Sequence, residues 1–112
     1  MEISYVSKRM QKLCTTEKEM KGKLGTRMAE TLKRQLALIE AVANLEELWA
    51  MPQTRCHEMK GDRKGQISID LVHPQRLYIE PDHDPVPRKK DGGLDRAAVT
   101  RVSIVDIDDP HR

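Results

Sequence analysis

The chain has few of the residues on which large cores and covalent frameworks depend. It contains no Phe, two Tyr and one Trp among 112 residues, so aromatic side chains make up only 3% of it. Its two cysteines, Cys14 and Cys56, lie far apart in sequence, and free thiols are their simplest state in a reducing compartment. We therefore expect one domain over residues 1–112, with a small core of Leu, Ile, Val, Met and Ala.

Long apolar segments are also missing. No apolar run approaches the roughly 20 residues that a membrane-spanning helix needs, and the first residues, MEISYVSKR, lack the apolar segment of a signal peptide. A cytoplasmic protein without membrane contact is the prediction. Cys56 and His57 are adjacent, but the other histidines are too distant for zinc-ligand spacing, so neither a metal nor another cofactor is predicted.

Charge is abundant and nearly balanced. The chain has 20 Lys and Arg against 18 Asp and Glu, a net charge of +2 that favours no particular partner. The distribution is uneven: residues 1–34 hold nine basic and four acidic residues, whereas residues 80–112 hold six basic and eight acidic ones. The N-terminal third is therefore a candidate basic face, although an ordinary solvated helix surface explains the same lysines equally well.

The first 50 residues are predicted to be mainly helical, after a short strand over residues 1–6. Each predicted helix has a candidate N-terminal residue, namely Ser7, Thr15 or Thr16, Thr26 and Asn44, the last of which could instead end the preceding helix. The longest, from Thr26 to about Ala43, carries an apolar stripe at helical spacing: Met28, Leu32, Leu36, Ile39 and Ala43. The stripe indicates core packing, and these helices are expected to support a sheet formed by the rest of the chain.

From residue 55 the hydrophobic period changes to that of strands. Strands are predicted over residues 55–59, 67–71, 76–80 and 99–108, with a basic turn at 60–65 and a long surface loop at 82–97. In the third of these strands, Leu77 and Ile79 should face the core, and Arg76, Tyr78 and Glu80 the opposite side. The apolar residues of 99–108 shift phase midway, which predicts a β-bulge or burial on both faces. The predicted fold is α+β, a small antiparallel twisted sheet packed against N-terminal helices.

Cleavage of RNA without a metal needs three kinds of group, and this sequence has candidates for each. A base must take the proton of the ribose 2′-OH, cations must stabilise the phosphorane, and an acid should protonate the leaving 5′ oxygen. Histidine can serve as base or acid near neutral pH, while lysine and arginine supply fixed positive charge. The candidates are His57, Lys60, Arg76 and His111, which spacing allows to converge on one open sheet face.

Simpler explanations exist for the same residues. A strand histidine often only makes a structural hydrogen bond, and a turn containing Arg63 and Lys64 can serve solubility alone. His111 lies one residue from the end of the chain, where it can be a tail residue without a role. From the residues alone, a phosphate-binding face is better supported than catalysis.

Two runs of sequence carry a family resemblance. The run RCHEMKGDRKGQISIDL, followed by PQRLYIEP, resembles the central signature of HigB-type toxins in the RelE/ParE superfamily. The segments DPVPRKKDGGLD and VTRVSIVDIDDPH are similar to a subgroup of these small killer proteins, and the resemblance covers nearly the whole chain. It implies an endoribonuclease that cleaves mRNA, often on the translating ribosome.

The resemblance also implies partners and site residues. The partner would be a cognate helix-turn-helix antitoxin of the HigA type, through which alone the protein would contact operator DNA. His57 matches the general base or acid of the family, Lys60 its transition-state lysine, Arg76 the arginine of the following strand and His111 the C-terminal histidine. Further candidates for contact with RNA or phosphate are Arg63, Lys64, Tyr78, Arg88, Lys89 and Lys90.

One departure from the family pattern affects the predicted site. Family members commonly end Asp-Tyr-His, whereas this chain has Asp109, Pro110 and His111. A ring for base stacking is therefore missing, a contact of roughly 1–3 kcal/mol per base, and Tyr78 is the remaining aromatic residue on the predicted face. Two alternatives stay open: a non-catalytic protein that binds only its antitoxin or operator complex, and a gyrase poison on the same fold.

Overall fold

The computed structural model describes residues 1–108, and within that range the chain is an α+β protein with four helices and a five-stranded mixed sheet. The helices precede most of the sheet and are α1 (Lys8–Thr15), α2 (Glu17–Leu24), α3 (Thr26–Ala41) and α4 (Leu45–Trp49). The strands are β1 (Glu2–Tyr5), β2 (His57–Glu58), β3 (Ile67–Asp70), β4 (Arg76–Pro81) and β5 (Arg101–Asp108). No helix in residues 1–108 combines the length and apolar character needed to cross a membrane.

The sheet has the strand order β1-β5-β4-β3-β2. Strands β2 to β5 pair antiparallel with their neighbours, but β1 pairs parallel with β5, so the expectation of a purely antiparallel sheet is corrected. A parallel pair needs a long crossover connection, and the four helices lie in the connection between these two strands. The same connection also contains β2, β3 and β4, so β1 and β5 are far apart in sequence although they are neighbours in the sheet.

A β-bulge, one of the two predicted explanations of the phase shift in β5, is confirmed. Tyr78 of β4 lies opposite Asp106, whereas the next residue, Ile79, lies opposite Ile104. Val105 is thus the extra residue, which resets the alternation of side chains along β5. The bulge allows Ile104 to face the core while Asp106 lies on the other side of the sheet with Tyr78.

Two of the predicted capping residues make capping hydrogen bonds through their side chains. The Ser7 hydroxyl accepts a hydrogen bond from the backbone N–H of Met10 at 3.1 Å, and Asn44 accepts one from Glu47 at 3.0 Å. Thr16 precedes α2 but its side chain makes no capping hydrogen bond. These bonds satisfy N–H groups that a helix leaves without intrahelical acceptors.

The core lies between the helices and one face of the sheet. From α3 the buried residues of the predicted stripe are Leu32, Leu36 and Ile39, and from the sheet they include Leu77 and Ile79. The stripe was predicted to continue to Ala43, but α3 ends at Ala41 and Val42 is the buried residue after it. We call the opposite side of the sheet the front face, which carries Ser68, Asp70, Arg76, Tyr78 and Asp106.

A buried amide connects the helices to the sheet. Gln35 of α3 is 6% exposed, and its Nε2 donates to the backbone oxygen of Asp70 at 2.7 Å and to that of Gln53 at 3.1 Å. The amide thereby supplies donors to carbonyl groups at the end of β3 and in the turn before β2. A glutamine at a core position of the helix is stable here because its donors are used.

Replacing this amide by an apolar group should weaken the fold. We expect Gln35→Leu to lower the free energy of unfolding by about 1–3 kcal/mol, because two carbonyl oxygens lose a buried donor. Urea unfolding followed by circular dichroism measures it. Gln11→Leu, at an exposed position of α1, is the matched control, and equal effects of the two substitutions would contradict the role of Gln35.

The two cysteines are free and buried, in line with the prediction of reduced thiols. Burial raises the pKa of the Cys14 thiol to about 11. Burial also raises the pKa of Cys56, whose Sγ lies 3.3 Å from the Thr54 hydroxyl. Both thiols are consequently neutral and weakly nucleophilic in the folded chain near neutral pH.

The raised pKa of Cys14 makes stability depend on alkaline pH. An unfolded thiol ionises near pH 8.5, whereas the folded one keeps its proton up to about pH 11. The contribution of Cys14 to the free energy of unfolding should therefore be constant below the ordinary thiol pKa and fall as pH rises through that window. In urea unfolding at about pH 8 and about pH 10.5, we expect a smaller fall for Cys14→Ala than for the wild type; equal falls would exclude the effect.

Candidate functional site

His57 and Arg76 lie on the two sides of Ser68 on the front face. His57 on β2 is opposite Ser68 on β3 in the antiparallel register, and directly opposed residues point to the same side of a sheet. Arg76 on β4 donates from Nη1 to the Ser68 hydroxyl at 3.2 Å. The structure therefore brings two of the four predicted catalytic residues to one region, with the imidazole of His57 exposed.

Arg76 is held on this face by a second contact. Its Nε lies 3.9 Å from Asp70 Oδ1, and the other oxygen of Asp70 lies 3.3 Å from Arg55 Nε. Asp70 thus takes part in ion pairs with two arginines while Ser68 accepts from one of them. The arrangement keeps the Arg76 guanidinium close to the strand surface, although about 30% of its side chain is still exposed.

Arg63 lies over the centre of the front face. Its guanidinium carbon is 3.7 Å from the ring centroid of Tyr78, and its Nη2 lies 2.8 Å from Asp106 Oδ2 and 3.6 Å from Asp108 Oδ2. Nη1 donates to Gln66 Oε1 at 2.9 Å. We call these residues, Arg63, Gln66, Tyr78, Asp106 and Asp108, the Arg63 cluster.

The Arg63 cluster changes the role expected of Tyr78. Alternation correctly placed Tyr78 on the side of the sheet opposite Leu77 and Ile79, but the residue is fully buried instead of open for base stacking. Arg63 covers one face of the ring, a favourable position for a cation over an aromatic system. The Tyr78 hydroxyl is buried and has no hydrogen-bond partner among the described atoms.

A groove of about 540 Å³ lies beside the front face, between the β2–β3 connection and the loop 82–97. Three cations line it, Lys60, Lys64 and Arg88, and each is exposed and without an ion pair to another described residue. Two carboxylates, Glu58 and Glu80, are also in the lining. The apolar part of the lining comes from Met59, Ile67, Pro81, Val86 and Leu94.

The loop 82–97 folds back on itself beside this groove. Its two arms are bridged at Arg88 and Leu94, and Asp95 N donates to Pro87 O at 3.0 Å. Of the three loop cations predicted to bind RNA, only Arg88 lines the groove. Lys89 Nζ lies 4.0 Å from Asp91 Oδ2. Lys90 is exposed and does not line the groove.

Two further predictions concern His111 and the basic N-terminal third of the chain. His111, predicted as a catalytic partner of His57, and the preceding Pro110 lie outside the described residues. In the N-terminal third, Lys33 and Lys21 hydrogen-bond Glu17 and lower the pKa of its carboxyl group. These pairs agree with the solvated helix surface, which was one of the two explanations of the basic composition.

Three site residues were not singled out from the sequence. Alternation in β3 predicts that Ser68 and Asp70 lie on the polar side of the strand. Nothing in the sequence indicates that arginines contact them. Asp106 could be assigned to the front face only with the position of the bulge known. In residues 1–108 no three His, Cys, Asp or Glu side chains are grouped closely enough to hold a metal ion.

No protein-family model matches the chain, and a search of curated proteins finds no significant match. What is established is an α+β protein with a polar sheet face and an adjoining cationic groove. Its function must therefore be argued from the geometry of these two surfaces.

The groove cations should dominate electrostatic binding of a flexible polyanion. Replacing Lys60, Lys64 and Arg88 by Ala should weaken binding of a single-stranded oligoribonucleotide and reduce the logarithmic salt slope by about 2, because each single-strand phosphate contact contributes about 0.7. Fluorescence anisotropy across a salt series measures the slope. The control replaces Lys8, Arg9 and Lys18, which are equally exposed and far from the groove in sequence; the same loss of slope in both variants would contradict a groove-specific contact.

Proposed function

We propose that this chain is the toxin of a toxin–antitoxin pair, with a RelE/ParE-type fold and a metal-independent endoribonuclease activity toward mRNA. The observation that carries the proposal is the position of His57 and Arg76 on either side of Ser68 on an exposed sheet face. A proton-transfer group and a phosphate-binding cation are thereby close together. The sequence resemblance to HigB-type toxins supports the same activity independently of this geometry.

The proposed reaction uses the ribose 2′-OH as nucleophile. His57 takes the proton of the 2′-OH, the 2′ oxygen bonds to phosphorus, and the bond from phosphorus to the 5′ oxygen breaks. The products are a 2′,3′-cyclic phosphate and a 5′-hydroxyl, the latter completed by a proton from an acid or from water. Positioned proton transfer of this kind contributes about 10²–10⁴ in rate.

In this proposal the cations of the front face and those of the groove have different roles. Arg76 lies at the front face beside His57, where a guanidinium can stabilise the extra charge of the phosphorane. Lys60 is three residues beyond His57 and lines the groove, so it extends the positive charge from the front face toward Lys64 and Arg88. In this proposal an RNA strand bound in the groove continues past Lys60 to His57, which is not itself part of the groove lining.

The same proposal defines the partners. An mRNA on the translating ribosome, met in the cytoplasm, is the proposed substrate, and a helix-turn-helix antitoxin is the proposed neutralising partner. Contact with operator DNA would then occur only through the antitoxin. Coexpression with the product of the neighbouring gene tests this part, because a true pair restores growth and copurifies as a complex.

Substitution of His57 tests the catalytic part. We expect His57→Ala to lower the rate of RNA cleavage about 10²–10⁴-fold with the fold intact. Cleavage of mRNA on translating ribosomes is mapped by primer extension, and circular dichroism checks the fold. His73→Ala is the matched control, because His73 is an exposed histidine in the β3–β4 turn. Equal activity of His57→Ala and the wild type would exclude His57 as a catalytic residue.

A second candidate function is favoured by the Arg63 cluster. Arg63 and Arg76 both contact aspartates, and Tyr78 is covered, so a protein that only binds its antitoxin also fits this surface. The two functions separate in one assay. Absence of cleavage by the wild-type chain on translating ribosomes, together with a stable antitoxin complex, would support binding alone.

A further inference from the structure

The buried hydroxyl of Tyr78 and the guanidinium above the ring are two observations that the proposed reaction does not use. Buried polar groups in folded proteins nearly always have a hydrogen-bond partner, so an orphan hydroxyl calls for an explanation. Tyr78 Oη is buried without a partner among the described atoms. The ring itself is fully buried, and one of its faces is in contact with Arg63 rather than with core side chains.

The group that covers the ring is held mainly by polar contacts at the surface. Arg63 is 26% exposed, Asp106 is 40% exposed, and their ion pair therefore competes with water. Ion pairs that are open to water contribute little to stability, so a phosphate can replace the carboxylates at modest cost. Arg63 also belongs to the short 3-10 turn Gly61–Arg63 rather than to a strand, and Lys64 beside it lines the groove.

We propose that Arg63 is an exchangeable cover over a nucleobase site: a phosphate of single-stranded RNA takes the guanidinium from Asp106 and Asp108, and the uncovered Tyr78 receives a base. The ring then stacks on the base, and the hydroxyl gains the hydrogen-bond partner that it lacks in the structure. This proposal rests on the proposed function for its ligand, and it adds a closed state in which the site is occupied by the chain's own arginine.

Geometry limits what can replace Arg63. The cover is a planar group whose central carbon lies 3.7 Å from the ring centroid, a stacking distance, so a planar base fits the same place. A phosphate provides acceptors for both Nη atoms, which now contact Gln66 and Asp106. A nucleotide supplies the base and the phosphate together, whereas polyphosphate supplies only the anion.

The first test removes the competing carboxylate. Asp106→Asn keeps an oxygen that can accept from Ile107 N, as Asp106 Oδ1 does at 2.8 Å, but it removes the charge that holds Arg63. We expect this variant to bind both a single-stranded oligoribonucleotide and inorganic polyphosphate about 2- to 5-fold more tightly at low salt. Asp84→Asn, an exposed aspartate of the loop 82–97, controls for the change of net charge.

A double-substitution cycle separates this exchange from a general field effect. In an Arg63→Gln background, Asp106→Asn should have no larger effect on polyphosphate binding than Asp84→Asn has, because the competing pair no longer exists. Tighter binding that persists without Arg63 would overturn the proposal. Unchanged binding in both backgrounds, with lowered stability of Asp106→Asn, would also overturn it, since Arg63 would then be only a structural contact.

Tyr78→Phe tests the base site. The substitution removes a hydroxyl that has no partner in the free chain, so stability should be unchanged or higher. Oligoribonucleotide binding should weaken about 2- to 10-fold, while polyphosphate binding should not change. Because Phe keeps the ring, equal RNA binding by Tyr78→Phe and wild type would overturn the proposed hydrogen bond between the Tyr78 hydroxyl and the base.

The polyphosphate measurements need no RNA cleavage, so they report on Arg63 even if the endoribonuclease function fails. Loss of cleavage with the exchange intact would therefore reject only the proposed function.

Discussion

Pairing of β4 on both of its edges fixes the position of the front face. Because β4 is hydrogen-bonded to β3 and to β5, its alternation cannot slip without breaking two registers. Leu77 and Ile79 are fully buried on the helix side, and Arg76 and Tyr78 are consequently on the other side. A shift by one residue would bury the Arg76 guanidinium in the apolar core. The free-energy cost of burying that charge far exceeds what any contact on the front face contributes.

The chain separates its cations into two groups. On the front face, arginines lie against aspartates, so the local positive charge is largely neutralised. In the groove, Lys60, Lys64 and Arg88 have no such partners within residues 1–108. The groove therefore offers a polyanion cations that are not engaged in such pairs with other described residues, whereas the arginines of the front face already contact carboxylates. Binding at the front face then requires exchange of partners, whereas binding in the groove requires only release of counterions.

Guanidinium groups, rather than other aromatic rings, pack against two of the aromatic side chains of this chain. With no Phe in the chain, Tyr78 is covered by Arg63 and Trp49 lies under Arg96, whose guanidinium carbon is 4.4 Å from the ring centroid. Arg96 is itself held by Glu46 at 2.9 Å. A planar cation can stack on a ring and keep its edge hydrated, which suits the boundary between a small core and water.

Local sequence determined those features that depend on neighbours along the chain. The N-caps Ser7 and Asn44, the apolar stripe of α3 and the opposite orientations of Leu77 and Tyr78 follow from capping chemistry and from the periods of helix and strand. The α+β class follows from the same periods, and the phase shift in β5 predicted either a bulge or burial on both faces, of which the structure has the bulge. Arg76 could be assigned to the polar side of the sheet, and its pairing with Ser68 and Asp70 could not.

Tertiary structure alone decided the rest, because it depends on which strands become neighbours. The parallel direction of β1, the position of Gln35 against the Asp70 carbonyl and the ion pair between Arg63 and Asp106 join residues that are distant in sequence. Alternation reports which side of a strand a residue occupies, but it carries no information about what covers that side. The sequence therefore places Tyr78 on the side of the sheet away from the core, and only the structure shows that Arg63 covers the ring there and that the residue is buried.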